Sequence, residues 1–378
     1  MRHVEAFRSI ESIEPHWREL EANAHASPFQ RFAWMASHIR TLSAESGAEP
    51  ALILIRDCGG RPAAILPLEK VRRSGITMLR SIGGKHASFH LPLASRAGEE
   101  IIAADPSCLL HKAAEAAGGA DLIMLMNEPS LWEGVPNPLV LSGAVEAASP
   151  AYETHLPAEA KAFIEARTSP DTRKKLRKKR QALAKLGELS TTRPDTPEGV
   201  ARTLEAFFAQ KQRRFAALRI ANPFADKATQ AFLRAACAPC GSEPPAIELQ
   251  TLSCGGRIVA VFGLATGFSR ASGMFTSFDD DPAIARCSPG DILLHDMVGE
   301  LIARGFTRFD LGVGEARYKN SFCTAELSLV NVFVPLTLYG RLACAAMQTA
   351  SRVKAAVKRD PRLLQAANRI YSTVRRFG

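Results

Sequence analysis

The segment 255–319 constrains the fold of this 378-residue chain more than any other. Two apolar runs rich in β-branched and aromatic residues, 258–264 and 271–278, lie close together in it and predict a pair of strands. A helical pattern begins at Pro289, and a third strand-like run, 306–311, follows the helix. A hairpin that leads through a helix into another strand is typical of an α/β unit with a mixed sheet.

The helix that begins at Pro289 has a start that suits an anion. Ser288 can cap this helix, and Pro289 fits its first position, where the missing N–H costs nothing. Arg286 and a loop of small residues precede the start, so the positive end of the helix would face a cationic, uncrowded loop. An ordinary capped helix would have the same pattern, and spacing alone does not separate the two interpretations.

Three motifs together resemble one known family. Residues 290–322, GDILLHDMVGELIARGFTRFDLGVGEARYKNSF, resemble the signature region of the BioF-like acetyltransferase family. This family includes the CelD-type proteins associated with cellulose synthesis and is related to the FemABX aminoacyl transferases. The basic run 173–180 followed by LAKLG, and the segment 83–92, GGKHASFHLP, are the other two matches. The three motifs span most of the chain in the order that the family has.

The resemblance implies an α/β fold of two GNAT-like (N-acetyltransferase) domains in tandem, with mixed, largely antiparallel sheets. It also implies that acetyl-CoA or another acyl-CoA is the co-substrate, that no metal takes part, and that the C-terminal domain holds the acyl-CoA. In that fold a helix N-terminus receives the pyrophosphate and a splayed strand pair receives the pantetheine arm. The residues predicted to bind the acyl-CoA are Phe262, Gly263, Leu264, Arg286, Ser288, Gly290 and Asp291.

The predicted domains are 1–150, 151–345 and a basic amphipathic helical tail, 346–378. The order of hairpin, third strand, helix and strand occurs in both halves, which a tandem duplication would leave. The strand-like region 326–338 is expected to complete the sheet of the second domain. Composition agrees with a globular protein, since 46% of the residues are hydrophobic and 23% are charged.

The sequence has no apolar run long enough to span a membrane, and its first residues lack the apolar core of a signal peptide. We therefore expect a cytoplasmic protein, with peripheral association with the inner membrane as an open alternative. The eight cysteines include a single CxxC, Cys237 and Cys240, without a second pair or a nearby His to complete a zinc site.

The net charge of +10 comes from two short segments. Residues 167–180 and residues 352–378 each contain eight Lys or Arg and one acidic residue. This local placement argues against a general nucleic-acid-binding protein. The helix predicted over 173–180 is either a solvated face or a site for a polyanion: the phosphates of CoA or of a carrier lipid, a tRNA, or an anionic membrane. The tail could likewise lie on lipid or dock on the second domain.

Acyl transfer from a thioester to an amine needs a hydrogen-bond donor to the carbonyl, a route for the amine proton, and an acid near the leaving thiolate. Backbone N–H groups near residues 262–265 are predicted to serve as the donor. Asp310, Glu315 and Tyr318 follow the last strand, where α/β sheets place ligands, and are predicted to be the catalytic residues. Each could instead be a structural anchor. Residues predicted to line the acceptor cleft are Lys85, His86, His90 and Lys319.

Three functions remain open from the sequence. The first is an acyl-CoA-dependent N-acyltransferase, an acetyltransferase in the simplest case, that acts on an amine of a sugar, polysaccharide or envelope precursor. The second is a FemABX-like transferase that uses an aminoacyl-tRNA. The third is a non-catalytic module that binds an anionic membrane or a synthase complex.

Overall fold

The computed structural model describes residues 3–241, 243–314 and 319–359, which form two mixed β-sheets with helices packed on them. The strands are β1 (Val4–Phe7), β2 (Glu49–Arg56), β3 (Pro62–Arg73), β4 (Ile76–Ser81), β5 (Leu93–Ala94), β6 (Leu122–Pro129), β7 (Leu131–Trp132), β8 (Val135–Pro136), β9 (Val145–Glu146), β10 (Ala151–His155), β11 (Leu189–Thr192), β12 (Ile247–Cys254), β13 (Arg257–Gly267), β14 (Arg270–Phe278), β15 (Arg308–Val313), β16 (Ala325–Leu327) and β17 (Leu329–Pro335).

The helices are α1 (Ile10–Glu21), α2 (Phe32–His38), α3 (Arg96–Ala104), α4 (Pro106–Ala116), α5 (Ala160–Arg167), α6 (Pro170–Ala184), α7 (Pro197–Leu218), α8 (Lys227–Cys237), α9 (Pro282–Ala285), α10 (Pro289–Ala303), α11 (Lys319–Phe322) and α12 (Leu338–Arg359). Among these described helices, none combines the length and the apolarity that a bilayer crossing requires.

The two large sheets have the same strand order. The first sheet runs β1-β2-β3-β4-β6-β17-β9, with β5 added beside β3, and the second runs β11-β12-β13-β14-β15-β10-β16. One parallel pair occurs at the same place in each sheet, β4 with β6 and β14 with β15, and the other neighbours are antiparallel. The predicted fold class of two tandem α/β units with mixed, largely antiparallel sheets is therefore confirmed.

The two halves exchange one strand. β10 follows the first half in sequence but pairs with β15 and β16 of the second sheet. β17 follows the second half but pairs with β6 and β9 of the first sheet. The prediction that region 326–338 completes the second sheet is thus wrong for most of its length, because only β16 belongs there.

One hydrophobic core joins the two halves. Trp34 of α2 meets Phe232 of α8 edge to face, with ring centroids 5.4 Å apart, and Phe29 packs on Phe89 at 5.4 Å. Trp34, Phe29, Phe89 and Phe232 are each fully buried, which places the segment 83–92 at the junction of the halves. α12 packs on the first sheet and runs continuously through residue 346, where the tail was predicted to begin; residues 360–378 lie outside the described residues.

The strand exchange predicts how the chain responds to a cut after residue 150. A fragment of residues 1–150 lacks β17, so the edge of β6 and the core under the buried Val332 and Val334 would be open. We expect this fragment to show no cooperative thermal unfolding alone, because unpaired edges and lost core burial are both destabilising. Co-expression with residues 151–378 should recover a one-to-one complex by gel filtration. A cooperative thermal transition in the isolated fragment 1–150 would contradict the role of β17 in completing the first sheet.

Candidate active site

The second sheet splays open beside β14. This strand runs parallel to β15 over the pairs Arg270–Arg308, Ala271–Phe309 and Ser272–Asp310. β14 continues to Phe278 with β13 on one side, whereas β15 continues beside β10. Within the described strands, the other edge of β14 beyond Ser272 thus has no neighbour.

A cavity of about 290 Å³ lies between β13, β14 and the start of α10. Its lining combines apolar side chains with a few polar groups: Phe262, Thr276, Phe278, Ala285, Ser288, Gly290, Asp291 and Leu294. This combination is typical of small-molecule sites. Four of the residues predicted to bind acyl-CoA, Phe262, Ser288, Gly290 and Asp291, line this cavity.

The other three predicted residues lie around the cavity. Gly263 is covered by the ring of Phe275, since a Cβ on Gly263 would come within 2.3 Å of a ring atom. Leu264 is fully buried in the core of the second half. Arg286 is exposed in the loop between two cavity-lining residues, Ala285 and Ser288.

The open backbone edge belongs to β14 and not to β13. The expected donors near residues 262–265 belong to β13, which pairs with β12 on one edge and with β14 on the other. The prediction that the backbone N–H groups near residues 262–265 are free is therefore wrong. Gly273 stands at the start of the open edge of β14, and a Cβ there would lie 3.3 Å from Phe262 and from the carbonyl oxygen of Asp310.

The N-terminus of α10 is arranged differently from the predicted cap. Ser288 has a φ of 49°, in the left-handed region, and its side chain makes no capping hydrogen bond. Lys179 of α6 instead donates from Nζ to Ser288 Oγ at 2.7 Å, and its Nζ lies 3.9 Å from Asp291 Oδ2. A lysine thus stands beside the positive end of a helix, at the edge of the cavity.

The basic helix α6 lies along α10. Arg180 pairs with Asp296 of α10 at 2.7 Å, and Arg173 donates to the carbonyl oxygens of Glu165 and Thr168. Four other cations of this helix are exposed and make no ion pair or hydrogen bond within the described part of the chain: Lys174, Lys175, Arg177 and Lys178. Like charges within two turns repel each other, so this face of α6 favours an anion.

Asp310 is fully buried at the point where β14 and β15 separate. Its carboxylate accepts hydrogen bonds from Ser272 Oγ at 2.5 Å and from Gly312 N at 3.2 Å. Burial raises the pKa of Asp310 to about 6, although the nearby Arg270 guanidinium acts in the opposite direction. These contacts are those of a strand-end anchor, the structural alternative that the sequence left open.

Arg270 is the centre of a buried charge cluster that the sequence analysis missed. Its side chain is 1% exposed and pairs with Glu153 at 2.8 Å, Glu133 at 3.4 Å and Asp310 at 3.5 Å. The guanidinium carbon also lies 4.2 Å from the centroid of the Trp132 ring. No local pattern reveals this cluster, because its members come from both halves of the chain.

The remaining predicted catalytic and acceptor residues have separate positions. Lys319 is buried, and its Nζ donates to the carbonyl oxygens of Gly312 and Val313, each at 3.1 Å, so it holds the end of β15. Burial lowers the pKa of this lysine. Glu315 and Tyr318 lie outside the described residues.

The segment 83–92 reaches the end of β15. A Cβ on Gly312, whose φ is 72°, would lie 2.6 Å from Ser88 Oγ. His90 is buried and donates from Nδ1 to the carbonyl oxygen of Met126 at 2.6 Å. His86 packs on the ring of Phe232 at 5.5 Å, and Lys85 is exposed.

Burial accounts for the protonation states of the two histidines. Desolvation lowers the pKa of His86 and of His90 to about 4, and the neighbouring Lys85 adds to the effect at His86. Both imidazoles are therefore neutral near pH 7. Within the described residues, no group of His, Cys, Asp and Glu side chains could hold a metal ion.

Solved structures share this fold across nearly the whole chain. FemX matches with a TM-score of 0.62 at 9% sequence identity, over 92% of this chain and 100% of that chain. The C-terminal domain of a putative lysylphosphatidylglycerol synthetase from Agrobacterium fabrum matches with a TM-score of 0.52 at 15% identity, over 90% and 96%. L-PGS from Bacillus licheniformis matches with a TM-score of 0.51 at 11% identity, over 91% and 98%.

The family comparison covers the half that contains the cavity. No curated protein matches the sequence significantly. Residues 170–320 match the family described as acetyltransferase (GNAT) domain, and this range includes α6, β14, α10 and β15. The match of residues 170–320 and the shared fold support acyltransferase activity of the GNAT type.

Proposed function

We propose that this protein transfers an acyl group from acyl-CoA to an amine. The observation that carries the proposal is the cavity of about 290 Å³ that joins the start of α10, with Lys179 beside it, to the open edge of β14. A helix N-terminus and a lysine suit phosphates, and an apolar slot next to a free strand edge suits the amide-containing pantetheine arm.

The charges around the helix start support a diphosphate there. Asp291 lines the cavity and would repel an anion, but Lys179 Nζ lies 3.9 Å from its carboxylate and offsets its charge. Arg286 is exposed in the same loop, and the free cations of α6 add to the positive field. The N–H of Gly290 is proposed as a further donor, since Pro289 has no N–H and the N–H groups of Asp291 and Ile292 donate to the carbonyl oxygen of Ser288.

The transfer step is the same for any amine acceptor. The amine nitrogen attacks the thioester carbonyl carbon, the C–S bond breaks, and the thiolate of CoA leaves with the bonding electrons. The amine proton passes to a base or water, and the thiolate takes up a proton. A backbone N–H on the open edge of β14 is proposed to polarise the carbonyl oxygen. Glu315 and Tyr318 remain the proposed base and acid.

Asp310 is proposed to position this site without contacting the substrate. It is fully buried, and it fixes the turn at Gly312 through the backbone N–H of that residue. The acceptor is proposed to enter beside the segment 83–92, where Ser88 meets Gly312. The resemblance to BioF-like and CelD-type proteins favours an amine on a sugar, polysaccharide or envelope precursor as the acceptor.

A second candidate function is transfer of an aminoacyl group from a tRNA. The observation in its favour is the row of exposed, unpaired cations on α6 beside the cavity, which a nucleic-acid backbone could neutralise. FemX and the lysylphosphatidylglycerol synthetase domain share the fold at TM-scores of 0.62 and 0.52. That likeness concerns the fold alone. Binding measurements with acyl-CoA and with tRNA must therefore distinguish the two candidate functions.

Lys179→Gln tests the acyl-CoA proposal. We expect calorimetry to give an about tenfold weaker affinity for acetyl-CoA, equivalent to ~1.4 kcal/mol, because one cation beside the phosphates is lost. The affinity for S-acetylpantetheine, which has no phosphate, should not change. The matched control is Lys185→Gln, an exposed lysine at the end of the same helix.

Two results would overturn the acyl-CoA proposal. The first is a parent protein that binds neither acetyl-CoA nor longer acyl-CoAs in thermal-shift and calorimetric measurements. The second is equal weakening of CoA and pantetheine binding by Lys179→Gln. Specific tRNA binding by the parent, with product formed from aminoacyl-tRNA and not from acyl-CoA, would support the second candidate instead.

A further inference from the structure

Helix α12 has two opposite apolar faces, and the fold uses one of them. Ala343 and Cys344 are buried against the first sheet, where they pack with Met78, Leu122 and Phe333. This contact explains why α12 is held to the protein. The contact with the first sheet involves only one side of α12, and the opposite side does not touch that sheet.

The second face is exposed and apolar. Leu338, Tyr339 and Leu342 are 75%, 76% and 74% exposed, which makes them the most exposed of the large hydrophobic side chains described. Spacings of three and four residues continue this face along the whole helix. We call this face the α12 stripe; its exposed members are Leu338, Leu342, Ala345, Thr349, Val353 and Ala356.

The stripe lies opposite the buried face. At about 100° per residue, the positions of the stripe point away from those of Ala343 and Cys344. A surface helix normally has one apolar side and one charged side, so an exposed apolar stripe marks a contact that the described residues do not make.

The charges of α12 indicate what covers the stripe. The helix contains five basic residues and no Asp or Glu: Arg341, Arg352, Lys354, Lys358 and Arg359. Arg341 and Arg352 are exposed along one side of the stripe, since at about 100° per residue both lie within about 80° of its centre. An apolar stripe with cations along one side is complementary to a surface that has an apolar interior and anionic groups above it.

Two other occupants fit the charges poorly. A second copy of this chain would bring another helix with five cations against the first, and like charges oppose that contact. The remaining residues 360–378 contain four Arg and one Asp, so they too are cationic. An anionic bilayer accepts the apolar side chains below its headgroups and the cations among its phosphates.

We propose that α12 docks this protein on an anionic lipid surface through the α12 stripe. Leu338 and Leu342 enter the region below the headgroups, and Arg341 and Arg352, which lie beside the stripe, contact the lipid phosphates. The docking is independent of the acyl-CoA site, because α12 packs on the first sheet and the cavity lies in the second half.

Co-sedimentation of the full chain with vesicles tests the proposal. One set of vesicles is phosphatidylcholine, and the other is an equimolar mixture of phosphatidylcholine and phosphatidylglycerol. We expect at least about tenfold stronger partitioning to the mixed vesicles, and weaker binding at high salt. The double variant Leu338→Ser and Leu342→Ser should lose about tenfold in partitioning to the mixed vesicles, since burial of both leucines is lost.

The matched control is Leu186→Ser with Leu218→Ser. These leucines are each 47% exposed and lie outside α12, so partitioning should stay within about twofold of the parent. Arg341→Gln with Arg352→Gln should remove most of the preference for phosphatidylglycerol. Melting temperatures near that of the parent would establish that the exposed substitutions leave the fold intact.

Three results would overturn the proposal. Equal partitioning of the parent and the Leu338/Leu342 variant is the first. The second is a dimer in sedimentation velocity that this variant dissociates, because the stripe would then bind a second copy. The third is vesicle binding that appears only after removal of residues 361–378, because the chain's own C-terminal residues would then cover the stripe.

Discussion

Replacing Arg270 with methionine is expected to lower the free energy of unfolding by about 3–5 kcal/mol, as removal of one partner from a buried ion pair does. Arg270 is 1% exposed and faces Glu153 at 2.8 Å and Asp310 at 3.5 Å. Methionine keeps most of the volume and a contact with the Trp132 ring. The loss therefore comes from two buried carboxyl groups that lose their main partner and must either stay charged without it or take up a proton. Chemical denaturation of the parent and of Arg270→Met measures this change in the free energy of unfolding.

The destabilisation should depend on pH in a defined direction. The pKa of Asp310 in the folded protein is about 6, above its ordinary value of 3.8, and Arg270 is the main group that lowers it. Without Arg270 the folded-state pKa rises further, so the folded variant binds a proton that the unfolded chain releases. Stability of the variant then falls as pH rises above about 4, and the difference from the parent should be larger at about pH 7.5 than at about pH 5.5.

A surface arginine provides the control. Arg213 pairs with Asp280 at 2.7 Å, and both side chains are close to half exposed. Arg213→Met should change the free energy of unfolding by less than about 1 kcal/mol, because water screens such pairs. If Arg270→Met is as mild as this control, or if its effect does not grow between about pH 5.5 and 7.5, the buried cluster is not the anchor that its contacts indicate.

The local elements of the second half could be predicted from the sequence. The runs 258–264 and 271–278 became β13 and β14, and the helix start at Pro289 is where α10 begins. These predictions succeed because the signals are local: apolar β-rich runs separated by turns, and a helical repeat after a proline. The cavity at Gly290 follows from the same pattern together with the family resemblance.

The partners of the strands could not be predicted in the same way. β10 (AYETH) and β17 (LVNVFVP) are both short, and nothing within either strand specifies which sheet it joins. Their exchange depends on contacts between residues far apart in sequence, such as Val334 of β17 beside Ile123 of β6. Register and pairing are decided by packing across the whole molecule.

The candidate site combines predicted residues with unpredicted contacts. Lys179 was one of many cations in a predicted basic helix, and only the packing of α6 on α10 distinguishes it from its neighbours. The sequence predicts a cap at Ser288 because it shows the residue type but not the left-handed φ of 49°. Asp310 was located correctly at a strand end, yet its full burial makes positioning a better proposal than proton transfer.

Replacing Gly290 with leucine is expected to weaken acyl-CoA binding more than any other single change proposed for the site. Gly290 lines the cavity of about 290 Å³, and a Cβ there would lie 3.9 Å from Phe278 Cδ1, an ordinary contact distance. Leucine can therefore be accommodated by the backbone while its side chain extends into the space proposed for the ligand. We expect a dissociation constant for acetyl-CoA at least about tenfold higher by calorimetry, and a similar loss in kcat/KM with an accepted amine.

Gly299→Leu is the matched control because it changes the same residue type on the same helix. A Cβ on Gly299 would meet no atom within 4 Å, and this residue does not line the cavity. Both variants replace a helical glycine, so each should keep or raise the stability of α10, by up to ~1 kcal/mol. Equal melting temperatures with affinity lost only in Gly290→Leu would assign the cavity to acyl-CoA. Parental affinity in Gly290→Leu would exclude this cavity, because a leucine side chain and the ligand cannot occupy the same volume.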